Sequence, residues 1–178
     1  VQKVLASYFQ SVTLRTAGFN TIPLGELRNS TIFMCCILMF IGASPGSTGG
    51  GIKTTTFGVI LFYVIGIVKK KENVEIFNRR LDWEIMNRAL AILVLAITYV
   101  IIVIMLMLIA ENFSPEEIMF EVISAFGTVG LTLGITPDLT TFSKLLLIVT
   151  MFIGRLGPMT FALAIGETKK KALSKYPK

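Results

Sequence analysis

Apolar positions along the chain gather into four runs, at residues 31–40, 57–68, 89–110 and 142–165. A membrane-spanning helix needs about 20 apolar residues, because the hydrocarbon is about 30 Å thick and a helix rises about 1.5 Å per residue. The third run reaches that length without a break, and the fourth reaches it with one arginine, Arg155, inside. The pattern therefore predicts two transmembrane helices in the second half of the chain.

The first two runs are each too short to cross, and a glycine-rich stretch, IGASPGSTGGGIKTTT at residues 41–56, separates them. Together the two runs are long enough to cross the membrane if the glycine-rich stretch lies inside it. Irregular backbone at this depth is tolerated only where it is buried in protein or lines a water-filled cavity. We therefore predict one broken transmembrane helix over residues 30–68, beside a polar pathway.

A further helix is predicted at residues 115–126, which is too short to cross the membrane. Ser114 can cap it, Pro115 suits its first position, and Glu117 stands where the carboxylate of a capping box belongs. The helix starts outside and must stop partway, and a loop with three glycines, residues 127–137, follows it. This arrangement predicts a re-entrant half-helix, a loop and a returning span.

The same unit occurs earlier in the chain without its leading transmembrane helix. Aligning Gly18 with Gly130 matches Thr16 with Thr128, Ala17 with Val129 and Phe19 with Leu131. Repeats around a common axis are one way in which membrane proteins build a pathway. Because the first copy is incomplete and no signal peptide opens the sequence, we expect the chain to begin partway through a larger protein.

Composition and charge fit a membrane protein. Of the 178 residues, 53% are hydrophobic and 16% are charged, against about 25% charged in soluble domains, and the mean hydropathy is +0.74. Basic residues cluster at 69–88 and in the tail, which the positive-inside rule places in the cytoplasm, whereas five acidic residues, Glu121 among them, lie between the last two spans. This orientation accounts for the net charge of +6, so we predict no nucleic-acid partner.

The sequence offers few candidate residues for a metal or cofactor site. The chain has no His, and its two cysteines, Cys35 and Cys36, are adjacent in an apolar run. This pattern excludes a His/Cys metal site and indicates packing residues. We predict no resident cofactor.

The two glycine loops have the chemistry of a cation filter. The C-terminal ends of the short helices lie at mid-membrane, where the helix dipole attracts a cation, and carbonyls of the following segment can replace its water shell. Gly18 and Gly130 allow the required backbone angles, and Thr16 and Thr128 can add hydroxyl oxygens. Neutral oxygens suit a weakly held monovalent cation better than a transition metal or Ca²⁺. Glycine between apolar stretches also fits an ordinary turn, and it is the matching pair of loops that favours the filter.

Three basic residues lie near these loops. Arg155 is mid-span, where a charge is costly unless it faces a cavity or a partner, so it supplies either a fixed charge to the pathway or a packing contact to carbonyls. Lys53 lies near the cytoplasmic end of the pathway or caps helix carbonyls, and Arg15 is expected to anchor the first loop through carbonyls. GSTGGGIKT is not a phosphate-binding Walker A loop, because Ile52 separates Gly51 from the lysine and an apolar helix precedes it.

The segments SVTLRTAGFNT, SPGSTGGGIKTTT, SAFGTVGLTLG and GRLGPMT resemble, in order and spacing, those of the Trk/Ktr/HKT superfamily of potassium transporters. Members of that superfamily carry four repeats of helix, pore loop and helix, and this sequence is similar to the last two, most like a KtrB-type membrane subunit. The resemblance implies an all-α integral membrane protein with repeated helix–pore-loop–helix units, re-entrant half-helices and one broken transmembrane helix. It makes residues 1–68 the third repeat without its first helix, 69–88 a cytoplasmic linker, 89–166 the fourth repeat and 167–178 a basic cytoplasmic tail.

The resemblance also implies roles for matching residues. The ion-binding filter positions, which would hold K⁺ at their carbonyls, are Thr16, Ala17, Gly18, Phe19, Thr128, Val129, Gly130 and Leu131. The gate positions are Gly46, Ser47, Thr48, Gly49, Gly50, Gly51, Lys53 and Arg155.

The implied function is potassium uptake across the plasma membrane, with no enzymatic activity. The implied partners are the N-terminal half of the same protein, a second copy in a homodimer, the lipid bilayer and a cytoplasmic nucleotide-binding subunit of KtrA type that responds to ATP and ADP. Two other interpretations of the residues stay open: a secondary transporter that binds a small solute at the broken helix, and a non-transporting assembly or sensor subunit. An intramembrane enzyme is disfavoured, because the spans carry no His and no Asp pair.

Overall fold

The computed structural model describes residues 2–69, 75–76 and 79–157. The helices of this part of the chain are α1 (Gln2–Thr13), α2 (Asn29–Phe40), α3 (Thr54–Val68), α4 (Trp83–Ala110), α5 (Pro115–Gly127) and α6 (Thr141–Leu156). Two strands of two residues each, β1 (Glu75–Ile76) and β2 (Arg79–Arg80), pair antiparallel between α3 and α4. The predicted all-α class is confirmed.

The internal repeat is visible in the order of the elements. Single turns of 3₁₀ helix, Leu24–Glu26 and Thr136–Asp138, follow the two glycine loops, and α2 and α6 then begin. These turns and helix starts stand in the same register as Gly18 and Gly130. The two copies therefore share one local structure of short helix, loop, turn and returning helix.

Helix α5 is the central element, and it begins where the sequence predicts. Ser114 accepts a hydrogen bond from the Glu117 N–H, and the Glu117 carboxylate accepts one from the Ser114 N–H at 3.0 Å, so the predicted capping box is present. Thirteen residues make α5 about 20 Å long, which is less than the hydrocarbon thickness. The helix packs against α2, α4 and α6, and every residue from 120 to 127 is buried.

The predicted broken helix is also present. Helix α2 ends at Phe40 and α3 starts at Thr54, with irregular chain between them. In the described ranges, α4 is the one helix both long and apolar enough to cross a membrane alone. Helix α4 starts at Trp83, so the end of the predicted linker at 69–88 is helical. The Trp83 ring packs edge-on against Tyr63 of α3, with 6.1 Å between the ring centroids.

The other parts of the predicted linker and the end of the fourth span are only partly described. Residues 70–74 and 77–78 lie outside the described ranges, as do the rest of the predicted fourth span from 158 and the basic tail at 167–178. Helix α6 is described as far as Leu156, and Gly157 follows it with a positive φ of 87°.

Polar contacts join the outer ends of the helices. Glu111, just beyond α4, accepts hydrogen bonds from the N–H and the hydroxyl of Thr140, the N-cap residue of α6, at 2.8 and 2.6 Å. Hydrogen bonds from Ser143 and Thr140 hold the pKa of the Glu111 carboxyl below its usual range. Asn29, the first residue of α2, donates to Glu116 in the first turn of α5 at 2.9 Å.

Helices α5 and α6 cross at a glycine. A Cβ built on Gly154 would overlap the carbonyl oxygen of Phe126 and come within 3.1 Å of its Cα. This contact is between main chains, so no rotamer change can relieve it. The crossing sets the distance between the last turn of α6 and the end of α5.

We therefore expect Gly154→Ala to destabilise the full-length protein by about 1–3 kcal/mol, because the helices must separate to admit a methyl group. The matched control is Gly58→Ala in α3, where a Cβ meets no heavy atom within 4 Å and helix propensity favours alanine. Thermal unfolding in detergent, followed by size-exclusion chromatography, compares the two variants. Equal midpoints for Gly154→Ala and Gly58→Ala would contradict the close crossing.

Candidate functional site

The two glycine loops adopt the same unusual backbone. Thr16 and Gly18 have φ values of 64° and 72°, and Thr128 and Gly130 have values of 53° and 86°. Left-handed angles cost an L-residue about 1–2 kcal/mol, and threonine, being branched at Cβ, rarely adopts them. In the described ranges, Thr16 and Thr128 are the only non-glycine residues with positive φ, and they occupy equivalent positions in the repeat.

The loops also touch each other. A Cβ built on Gly18 would overlap the carbonyl oxygen of Val129 in the other loop. Gly18 is therefore required both for its backbone angle and for the space that the second loop occupies. Gly130 has a similar angle but open space beside it.

Different contacts anchor the two loops. The side chains of Val129 and Leu131 are buried in the core, whereas Ala17 and Phe19 are exposed. The first loop is held by the Thr13 hydroxyl, which donates to the Phe19 carbonyl at 2.8 Å. Thr13 lies at the end of α1, so this bond ties the loop back to its own short helix.

The glycine-rich segment between α2 and α3 forms a closed loop with a buried base. Ile41 and Ile52 form a β-bridge, the Gly42 N–H donates to the Ile52 carbonyl at 2.9 Å, and the Ile52 N–H donates to the Phe40 carbonyl at 3.1 Å. Residues 44–48 at the tip are exposed, and residues 49–52 are buried. Hydrogen bonds at the base thus satisfy the backbone where the helix is broken, as burial at membrane depth requires.

This loop rests on the two repeat-related threonines. A Cβ on Gly49 would come within 2.6 Å of the Thr16 hydroxyl oxygen, and one on Gly50 within 2.7 Å of the Thr128 hydroxyl oxygen. The Gly50 N–H donates a hydrogen bond to that Thr128 oxygen at 2.8 Å. Two consecutive glycines therefore place the loop against both filter-like segments, next to the ends of α1 and α5.

Lys53 belongs to the glycine loop itself. Its ammonium donates to the Gly49 carbonyl at 2.7 Å and to the Ser47 carbonyl at 3.4 Å. Lys53 therefore caps carbonyls of its own loop and not the carbonyls of a helix. The charge bridges the exposed tip and the buried base.

Unlike the half-buried Lys53, the two arginines Arg15 and Arg155 are exposed. Arg155 is exposed in the last turn of α6, next to Gly154, which abuts the Phe126 main chain. The Phe126 carbonyl oxygen would lie 3.0 Å from a Cβ on Gly50, so this turn of α6 and the glycine loop meet at one peptide group. Arg15 is exposed, and its side chain bonds no carbonyl of the described residues, so the expected anchoring is not observed there.

One buried acidic residue was not singled out by sequence reasoning. Glu121, grouped there only with the acidic residues between the last two spans, is 5% exposed in the middle of α5 and accepts hydrogen bonds from Thr132 and Thr136. Its position among the apolar residues 118–123 of a short helix was the available signal. The threonines lie directly beyond the second glycine loop, so this group adjoins the candidate site.

Comparison with known proteins identifies the family. The family model TrkH, described as a cation transport protein, matches residues 1–175. Ktr system potassium uptake protein B of Bacillus subtilis is 48% identical over 99% of this chain, which covers 40% of that protein. The potassium/sodium uptake protein NtpJ of Enterococcus hirae is 39% identical, again over 99% of this chain and 40% of the relative. The chain thus spans about two fifths of the length of these relatives.

A solved structure shares the fold. The crystal structure of the potassium transporter TrkH from Vibrio parahaemolyticus superposes with a TM-score of 0.74 over 90% of this chain and 36% of that one, at 22% identity. The predicted resemblance to the Trk/Ktr group is confirmed, and the similarity to Ktr subunits fits a KtrB-type protein. The chain belongs to the TrkH family of cation transport proteins.

Proposed function

We propose that this chain forms two of the filter segments, and the gate beneath them, of a protein that takes up potassium across the plasma membrane. The observation that carries the proposal is the matched pair of left-handed turns at Thr16–Gly18 and Thr128–Gly130, with one loop resting on both threonines. The names of the relatives, which refer to potassium uptake, support the choice of ion.

The filter works through neutral oxygens. Carbonyls of residues 16–19 and 128–131 replace the hydration shell of K⁺, since neither segment contains a carboxylate. The close approach of Gly18 to Val129 sets the spacing between the neighbouring segments. Neutral ligands hold a monovalent ion weakly enough to release it.

Two segments line only part of a pathway. Ala17, Phe19 and Gly130 are exposed, and so are large apolar side chains of α1 such as Val4 and Tyr8. We place the N-terminal repeats of the longer protein against these surfaces. They complete the ring of filter segments around the axis.

The glycine loop is the gate. It rests directly on Thr16 and Thr128, so an ion leaving the filter meets it first. Its exposed tip at residues 44–48 has few contacts to break, and Lys53 holds the tip to the base. Movement of the loop away from the threonines opens the path, and Arg155 adds a fixed positive charge at the same level.

The assembly follows the Ktr arrangement. The chain is part of a membrane subunit that forms a homodimer and is controlled by a cytoplasmic nucleotide-binding subunit of KtrA type. Residues 69–82 and the C-terminal tail face the cytoplasm, where their basic residues favour them.

The filter assignment is tested by Gly130→Ser in the full-length protein. Serine must adopt a φ near 86° there, at a cost of about 1–2 kcal/mol, so we expect the ratio of K⁺ to Na⁺ uptake rates to fall about tenfold. Gly157→Ser is the control, because its φ of 87° is equally demanding and its Cβ would meet no heavy atom within 4 Å, but the residue lies outside both glycine loops. Radioactive Rb⁺ and Na⁺ uptake into vesicles measures the ratio, and an unchanged ratio in Gly130→Ser removes the assignment.

The gate assignment is tested at Lys53. Lys53→Met removes two charge-assisted hydrogen bonds from the loop carbonyls, each worth about 1.5–3 kcal/mol, and we expect at least a tenfold rise in unregulated Rb⁺ flux. Lys53→Arg keeps the charge and should change flux less. Deletion of residues 46–51 gives the fully open reference. Flux at or below the wild-type level in Lys53→Met, with normal amounts in the membrane, argues against the gate.

The contact between loop and filter is tested separately at Thr128. Thr128→Val keeps the shape but leaves the Gly50 N–H unpaired, at a cost of about 1–3 kcal/mol, whereas Thr128→Ser keeps the acceptor. We expect a thiol reagent to label Thr48→Cys at the loop tip about tenfold faster in the valine variant. Cys35 and Cys36 are buried, and the same protein without Thr48→Cys gives the background labelling to subtract. Equal labelling rates in the two backgrounds would mean that the hydrogen bond does not hold the loop.

A further inference from the structure

A buried group of hydrogen-bonded side chains lies behind the second filter segment. Glu121 of α5 accepts hydrogen bonds at the same carboxylate oxygen from the hydroxyls of Thr132 and Thr136, the latter at 3.0 Å. Those two hydroxyls also lie 2.8 Å apart, and the Gly134 N–H donates to the Thr132 hydroxyl oxygen at 2.9 Å. One carboxyl thus binds three points of the five-residue segment 132–136, two directly and one through Thr132.

A buried carboxyl is costly unless it is paired. In the part of the chain that the structure describes, no lysine or arginine forms an ion pair with Glu121. Its partners are hydroxyl groups from a single segment of chain, so the carboxyl gains its compensation only by holding that segment in place. An apolar side chain at residue 121 would pack in the core without this requirement.

The segment held by Glu121 continues the filter directly. Gly130 and Leu131 immediately precede Thr132 in the chain. Leu131 is packed in the core, but a cavity of about 470 Å³ adjoins the loop, with Glu121, Thr132 and Gly130 in its lining, so the described residues leave the Gly130 side of the loop unpacked. The hydrogen bonds therefore restrain the outer end of a loop that has room to move.

The first repeat lacks this hydrogen-bonded carboxyl group. In the register that matches Gly18 with Gly130, Phe9 stands in place of Glu121 and Asn20 in place of Thr132. The loop there is held by backbone hydrogen bonds from Ala17 and Gly18 to the Thr13 carbonyl and by the bond from the Thr13 hydroxyl to the Phe19 carbonyl. A carboxyl is consequently not needed to build the helix and loop, and its presence in the last repeat calls for a specific role.

We propose that Glu121 is a positioning residue of the filter, which through Thr132 and Thr136 fixes the carbonyls of Gly130 and Leu131 at the spacing that suits K⁺. The proposal rests on the filter function proposed above. A restrained ring of oxygens cannot close around the smaller Na⁺, whereas a loosened one can. Outer partners of ion ligands act in this way generally, and their loss typically costs about 10–100-fold in affinity or activity.

The experiment compares variants of the full-length protein in vesicles, with the ratio of Rb⁺ to Na⁺ uptake as readout. Thr132→Val is close in shape and removes the hydroxyl, and we expect it to lower the ratio about tenfold, with Glu121→Leu at least as severe. Thr132→Ser and Glu121→Gln keep a hydroxyl donor and a carbonyl acceptor, so both should stay within about twofold of the wild type. The double variant Glu121→Leu with Thr132→Val should be no worse than Glu121→Leu alone, because one interaction is lost in both.

The outcomes separate this proposal from the proposed function. Membrane abundance and the thermal midpoint of each variant show whether it folds. If Glu121→Leu fails to fold, Thr132→Val still tests the proposal. If Gly130→Ser lowers the ratio but Thr132→Val leaves it unchanged, the positioning role is overturned while the filter stands. If Glu121→Gln falls as far as Glu121→Leu, the charge and not the hydrogen bonding matters, which also overturns it. Absence of K⁺ or Rb⁺ uptake by the wild type would refute the proposed function itself.

Discussion

The constraint on which the structure depends is the close approach of main chain to main chain at the ends of the two short helices. Gly18 meets the Val129 carbonyl, Gly154 meets Phe126, and Gly50 lies between Phe126 and Thr128. A side chain at any of these glycines would push apart the elements that meet there. Because packed interiors leave no slack for a methyl group, the observed positions of the loop, the filter-like segments and α6 depend on these glycines.

The second constraint is that backbone N–H and C=O groups at membrane depth need hydrogen-bond partners, and several of these partners lie within the glycine loop itself. The base of the glycine loop closes through bonds among residues 40–52, and Lys53 takes up two carbonyls of the tip. Thr128 accepts the Gly50 N–H, so part of the loop's hydrogen bonding depends on the filter-like segment. For the proposed gate and filter, this shared hydrogen bond is a physical route by which movement of one displaces the other.

Much of the architecture could be predicted from the pattern of apolar runs and glycines in the sequence. The break at residues 41–53, the capping box at Ser114 and the repeat that matches Gly18 with Gly130 were all readable from glycine placement and apolar run length. The boundary at Trp83 was not, because the charged residues that begin α4 look like linker while they continue the helix into the interface. The burial of Glu121 was not predicted either, since charge counts along a chain carry no information on which face of a helix is buried.

The sequence by itself determined the family, the order of the elements and the positions where side chains are forbidden, because run length, helix caps and glycine are local properties of the chain. The tertiary structure alone decided which of those positions meet. It placed Gly49 and Gly50 on Thr16 and Thr128, directed Lys53 to the loop carbonyls and paired Glu121 with Thr132. Gly50 and Thr128 lie 78 residues apart in the chain, and the packing of α2 against α5 brings them within hydrogen-bond distance.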